Sequence, residues 1–372
     1  MKQIILGAFV SVIVLMHGIA SAAPVKLEVV KRFPDDFAMI GVGVDAQGTV
    51  FASAPATIRR YSASVVRVDP KTGTLEPFPN ASWNRFEQEP GKRQEWVSVP
   101  ALWVDDDNRL WVLDSSLESV DQTKLPPKLV EFDPTSGKLL RSYVFDHDIK
   151  PSDSLNDVRV DTKARTAYIS NEHGRGGLVV LNLDTGVYRL VLDKTPSGMA
   201  DPNQHLHIYG ELVRLMNGKL PVTQDDGIAL SADRAWVYYR PLTDHKYWRI
   251  SASILRDFHN SSKKIEQAVQ YLGESVMSGG IEIDRCNRIW AGDLEHHSLY
   301  MLMLNKAGNG LDTTLIYHDP KVLDWADGFA ISGEWLYISD SRLDQIIFRN
   351  KNGLTKQTAI LRMRLPACEV QK

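Results

Sequence analysis

Long apolar runs are almost missing from this chain of 372 residues. The one that exists, Ile4 to Met16, falls short of the roughly 20 residues a membrane span needs. It stands between Met1-Lys2 and Ala20-Ser21-Ala22, the order of a secretory signal with a small-residue cleavage site. The expectation is that residues 1–22 are a signal peptide, with an uncleaved anchor as the alternative. The remainder, 23–372, then forms a single periplasmic or secreted domain without a membrane span. An excess of one charge is missing as well: 43 Lys and Arg face 46 Asp and Glu, a net −3, and loss of Lys2 with the signal gives −3 − 1 = −4. Without a basic stripe or an aromatic RNA-binding signature, nucleic acid is not an expected partner. No Pro/Gly/Ser-rich linker divides the chain. No P-loop, dinucleotide fingerprint or G-x-S-x-G elbow stands in a strand–turn–helix context, which excludes nucleotide or organic cofactors and a serine nucleophile. Cysteine is scarce, only Cys286 and Cys368. In an oxidising compartment the pair permits one disulfide pinning the C-terminal tail to the fifth repeat; two buried thiols is the equal alternative.

What is present is a repeat. A short apolar strand ends in a D-x-x-G-like turn, a strand rich in Trp, Tyr and Val follows, and a third strand runs into a D-x-x-T-G-like turn. The clearest copy is Asn156 to Asp161, Ala167 to Ser170, Leu178 to Leu183 with Asp184-Thr185-Gly186, and Tyr188 to Leu192. Counterparts of its first strand begin near Ile40, Ala101, Gly227, Gly280 and Gly328. Starts roughly 50 to 70 residues apart match a four-stranded blade with its loops. The fold expected is all-β, a six-bladed β-propeller. Its last repeat lacks a final strand after Phe348, and the unpartnered segment Lys26 to Phe33 is expected to supply it; an open β-sandwich pair is the alternative.

Propeller topology sorts residues by rim. Turns at Asp45, Asp69, Asp105 and Asp133 are short, and their acids are expected to bond their own backbone. The other rim carries the long connections Pro55 to Ser62, Asn80 to Ser98, Ser115 to Pro127, Pro196 to Gln224 and Asp319 to Asp324, where binding loops are commonly built. An insertion on the quiet rim, Leu255 to Gln267, reads as a small helix. At the mouths of the inner strands stand Asn156, Asp157, Asp226 and Asp327, and after the second strands Asp293 and Asp340. These six are the candidate ligand-binding residues. Asn156, Asp226 and Asp327 are also candidate ligands for a hard cation such as Ca²⁺, which takes about six to eight oxygens; the alternative is that they bond exposed backbone or channel water. His173, Glu295 and His296 are candidates for proton transfer beside a carbonyl, because His titrates near neutrality and a carboxylate tunes it. His205 and His207 alternate without an indicated third zinc ligand. Trp83, Phe86, Trp96 and Tyr209 either line a pocket for a flat ligand or cover blade edges.

At Ser154 to Asp161, Gly176 to Leu181, Asp226 to Ser231 with Tyr238 to Leu242, and Asp293 to His296, the chain resembles bacterial members of the Yellow and major royal jelly protein family, often named dopachrome tautomerase-related. The resemblance runs from about residue 30 to about residue 350 in the right motif order. It implies a secreted six-bladed propeller, and insect members are linked to dopachrome conversion and to binding of small aromatic amines. A more distant likeness is to gluconolactonase and senescence-marker propellers, whose central cation polarises a lactone. Asn156 matches their blade-three asparagine and Asp226 another polar ligand. Ser278-Gly279 stands where they place an aspartate before glycine, and Met39 to Val42 lacks their glutamate.

Three functions are therefore in play. The first is a small polar or aromatic ligand bound, and isomerised, at the channel mouth. The others are a metal-dependent sugar lactone hydrolase and a non-enzymatic protein interaction module.

Overall fold

The computed structural model describes residues 25–55, 63–84, 95–115, 125–347 and 357–368. The expected signal peptide, Phe86 and parts of the first three long connections lie outside the described residues. Six four-stranded antiparallel sheets are arranged as a β-propeller. Their innermost strands are Gly41–Val44, Ala101–Val104, Leu155–Asp161, Asp225–Leu230, Ile281–Ile283 and Ala326–Ser332, within a few residues of the repeat starts. Each sheet can bury its two faces only against neighbouring blades, so the apolar clusters lie between blades; Trp111, Leu113, Val158, Ile169 and Val179, for example, form one continuous cluster.

The repeat is also visible in the backbone. The turn from first to second strand holds one residue at positive φ in every blade: Gly48, Asn108, Arg165, Arg234, Asn287 and Gly333, between 51° and 82°. The turn acids bond their own backbone as expected: Asp45 accepts from Gln47 and Thr49, and Asp105 from Asp107 and Arg109. Ring closure comes from the N-terminal strand. Glu28–Arg32 pairs with Ala359–Arg364, so blade six takes three strands from the C-terminal part and its outer strand from the N-terminal one. The quiet-rim insertion holds two short helices, Ala252–Arg256 and Ser262–Gln267. Among the described residues no helix is long and apolar enough to cross a membrane.

Cys286, in the first turn of blade five, is disulfide-bonded to Cys368 beyond the last strand, with Cα atoms 6.5 Å apart. The bond therefore ties the tail to the fifth blade, the first of the two alternatives. It closes a separation of 82 residues, for which loop-closure entropy gives about 4–5 kcal/mol. Cys368→Ser should accordingly lower the melting temperature by about 5 °C, measured by calorimetry in oxidising buffer. Trp96 is fully buried and packs on Trp83 at 4.7 Å and Phe132 at 5.9 Å, so among the described residues these tryptophans belong to an apolar cluster.

Candidate functional site

The inner strands of blades three, four and six lose register as they enter the sheet: between Leu155 and Val158, Asp225 and Gly227, and Ala326 and Phe329. Such a bulge breaks the alternation of side chains and re-aims the extra residue. The residues at these breaks are Asn156 with Asp157, Asp226, and Asp327. Serines hold the displaced backbone. Ser170 Oγ accepts from Asp157 N at 3.0 Å and donates to Asp226 O at 2.6 Å, and Ser339 Oγ accepts from Gly328 N at 2.6 Å. Gly279 gives Asp327 its room, since a Cβ there would stand 2.5 Å from Asp327 Oδ1.

Asn156, Asp226 and Asp327 meet at a cavity of about 340 Å³, shared with Glu172 and His173. Its remaining wall is largely apolar: Leu215, Val222, Leu242, Trp325 and Leu343. A narrow extension of about 30 Å³ continues down the channel past Asp157. Below it Arg159 is buried, with Nη1 2.7 Å from Asp157 Oδ1 and Nε 3.2 Å from Glu282 Oε2, tying blade three to blade five across the axis. At the far mouth Arg234 and Asp106 pair across the channel, beside a separate cavity of about 300 Å³.

The mouth is electrostatically unfavourable to itself. Burial first, and then the negative charges of Glu172, Asp327 and Asp157, push the Asp226 carboxyl well above its ordinary range, with Arg240 opposing. Burial also pushes Asp327 up to about 7, although Ser341 Oγ donates to it at 2.9 Å. Asp157 is raised by burial against the pull of Arg159. His173 is raised by its hydrogen bond to Glu172, which outweighs burial. Glu172 itself accepts from Ser154 Oγ at 2.9 Å. Asn156 and Asp226 make no side-chain hydrogen bond among the described residues. Their polar atoms are therefore available to a ligand.

The other candidates stand elsewhere. Asp340 Oδ1 accepts from the backbone N–H of Asp324 and Trp325 at 2.9 and 3.0 Å and pairs with Arg342, clamping the loop that enters blade six. Asp114 and Asn171 hold the loops entering blades two and three in the same way. Asp293 caps the turn holding Glu295 and His296. The His296 ring lies mostly in solvent, 2.9 Å from Asp293. Glu295 faces His245 at 2.8 Å. Neither Glu295 nor His296 reaches the cavity. Glu172 and the apolar wall were not singled out by motif, although Leu215 and Val222 belong to the Pro196 to Gln224 connection. Among the described residues no three His, Cys, Asp or Glu side chains are placed to hold a metal by themselves.

The family model for major royal jelly protein matches residues 97–370. The chain belongs to the major royal jelly protein family. It is 31% identical over 208 residues to major royal jelly protein 3 of Apis mellifera, covering 54% of this chain and 35% of that protein. With major royal jelly protein 7 of the same bee it shares 28% over 233 residues, 58% of this chain and 49% of the relative. This major royal jelly family chain thus aligns with between a third and a half of these relatives' length. Solved structures share its fold at low sequence identity. A gluconolactonase from Xanthomonas campestris gives a TM-score of 0.54 at 12% identity, over 92% of this chain and 90% of the other. A calcium-binding regucalcin from Agrobacterium tumefaciens gives 0.51 at 13%, over 92% and 96%.

Proposed function

We propose that the channel mouth binds a small polar or aromatic metabolite and isomerises it by proton transfer. The observation that carries this reading is the pair Asn156 and Asp226, two polar side chains left without protein hydrogen bonds among the described residues at an apolar-walled cavity. Concave apolar sites with a few convergent polar groups are where small ligands bind. Trp325, Leu242 and Val222 offer a face for a ring, while the amide and carboxylate fix a polar end. His173, held by Glu172, and the raised Asp327 supply groups that exchange protons near neutral pH. One can take a proton from carbon beside a carbonyl and the other return it elsewhere. Geometry and family membership support the reading.

Asn156→Ala should weaken binding of a small aromatic amine or ketone at least about tenfold in calorimetric titration, the worth of one or two hydrogen bonds to a buried site. Its melting temperature should stay close to that of the wild type. His296→Ala should leave binding unchanged, because the ring lies outside the cavity. Equal weakening by both substitutions would place the ligand elsewhere.

The crowded carboxylates also favour a second reading, a bound hard cation. Asn156, Asp226 and Asp327 offer oxygens of the kind Ca²⁺ takes. The Ser278 hydroxyl is used by Gly280 O and Gly292 N, and blade one presents Ile40, so most of the shell would come from water or substrate. Such an ion would supply Lewis acidity toward a lactone carbonyl. Millimolar Ca²⁺ should then raise the melting temperature by mass action; an unchanged melting temperature counts against the ion.

A further inference from the structure

The second-to-third strand turn of blade five, Asp293 to Ser298, does not reach the channel, yet it is joined to the long insertion between blades three and four. That insertion folds a small hairpin, His207–Ile208 against Glu211–Leu212. Leu206, Ile208 and Val213 pack on Leu242, Leu294 and Trp325, and the Tyr209 ring meets His297 at a tilt, with centroids 4.3 Å apart. Further along, the same insertion contributes Leu215, Val222 and Thr223 to the cavity wall.

The polar part of this junction centres on His245. Its Nε2 lies 2.8 Å from Glu295 Oε2, and its Nδ1 faces Gln204 Oε1. The Gln204 amide cannot be turned round without loss: its oxygen also accepts from His245 N at 3.1 Å, and its nitrogen donates to Glu274 Oε1 at 3.2 Å. The ring therefore faces two acceptors, and only the imidazolium form has a donor for each. Glu295 uses its other oxygen on the insertion, where Oε1 accepts from His207 N at 3.0 Å.

We propose that His245 and Glu295 form a proton-operated clasp that holds residues 201–213, and with them one wall of the channel-mouth cavity, against blade five. With His245 charged, both ring nitrogens donate and Glu295 is fixed to receive the His207 N–H. Loss of the ring proton sets a lone pair against Gln204 Oε1 or Glu295 Oε2 and loosens the clasp.

Burial works against the Glu295 charge, but the bonds from His245 and His207 prevail and hold its carboxyl below the ordinary range, so it remains an acceptor in mild acid. The other charged groups facing the junction are accounted for. Glu274 is met by Gln204, and His207 Nδ1 by His205 O. Lys246 is paired with Asp201 and Asp244, His296 with Asp293, and His297 with Asp324. The other imidazoles of the junction are His207, whose Nδ1 also lies 3.9 Å from Glu295 Oε1, and His297, under Tyr209, where burial opposes the ring charge but Asp324 raises it.

The test is hydrogen–deuterium exchange of the full chain at about pH 6 and about pH 8.5, corrected for the intrinsic exchange rate. Peptides covering residues 204–213 should lose about tenfold in protection at the higher pH, while blade-three peptides stay unchanged. In His245→Gln the same peptides should exchange alike at both pH values. Equal protection of the wild-type segment at the two pH values overturns the clasp, and so does a pH step that persists in His245→Gln, which would assign it to His207 or His297. The wild-type comparison decides by itself if the variant does not fold. No ligand is needed, so the outcome is independent of what the cavity binds.

Discussion

Asp226→Asn is expected to yield a protein that is more stable than the wild type at pH 8 and binds its ligand far more weakly. The two effects share a cause. Asp226 is almost fully buried among Glu172, Asp327 and Asp157, and its carboxyl is raised well above the ordinary range by burial and by those charges. An acid whose folded pKa exceeds its unfolded one binds protons preferentially in the fold, so stability falls as pH rises from the unfolded value to the folded one. For Asp327 that window runs from 3.8 to about 7. A rise of that size corresponds to about 4 kcal/mol lost by pH 8. An amide in place of the Asp226 carboxyl carries no charge to bury and also eases Asp327. The variant should therefore melt higher than the wild type at pH 8. The gain should vanish near pH 4, where the wild-type carboxyls are protonated. Affinity for a cationic ligand should fall about a hundredfold, the worth of a charge-assisted contact at a desolvated site. Melting curves at both pH values, with titration at pH 8, separate these claims. Loss of stability at pH 8 would mean that Asp226 is a structural residue.

Phe33→Ala should be strongly destabilising. Phe33 is fully buried at the end of the strand that closes the ring, stacks on Phe37 at 5.1 Å, and packs with Met39, Val42 and Ile360. Its N–H donates to Thr358 O at 2.9 Å. Truncating a buried Phe costs about 3–5 kcal/mol. Here the cost falls on the junction between the first and last blades, so the variant should melt about 4–7 °C lower. Removing the chain through residue 33 should cost more, since it also exposes the edge of Ala359–Arg364. A truncated protein that melts with the wild type would show that the ring closes without its N-terminal strand.

The propeller was legible because its signals are local. The left-handed turn residues recur at fixed places in each repeat, and the Lys26 to Phe33 segment had a sequence pattern but no neighbour to pair with. The mouth was partly legible for a related reason. Asn156, Asp226 and Asp327 each stand at the start of an inner strand, and inner strands line the axis, so position in the repeat located them even though the bulges that aim them leave no motif. Glu295 and His296 follow a second strand, as Glu172 and His173 do, but Glu295 is taken up by His245 and the His207 N–H, and the His296 ring lies in solvent. There Asp293 caps its own turn, and Asp114 and Asp340 cap incoming loops; the same carboxylate reads alike in sequence whether it caps a loop or meets a ligand. His245 and Gln204 are far apart in the chain and carry no motif, so their meeting belongs to the packing of the insertion. Cys286 and Cys368 were ambiguous because spacing does not encode which thiols approach.

The central claim is that the channel mouth, held by Asn156 and Asp226, is a small-molecule site. A crystallographic soak with a panel of small aromatic amines and ketones tests it most directly. The account predicts a fragment with its polar end on the Asn156 amide or the Asp226 carboxylate and its ring against Trp325 and Leu242. Fragments that settle only elsewhere on the propeller, or a mouth that stays free of all of them, would contradict it.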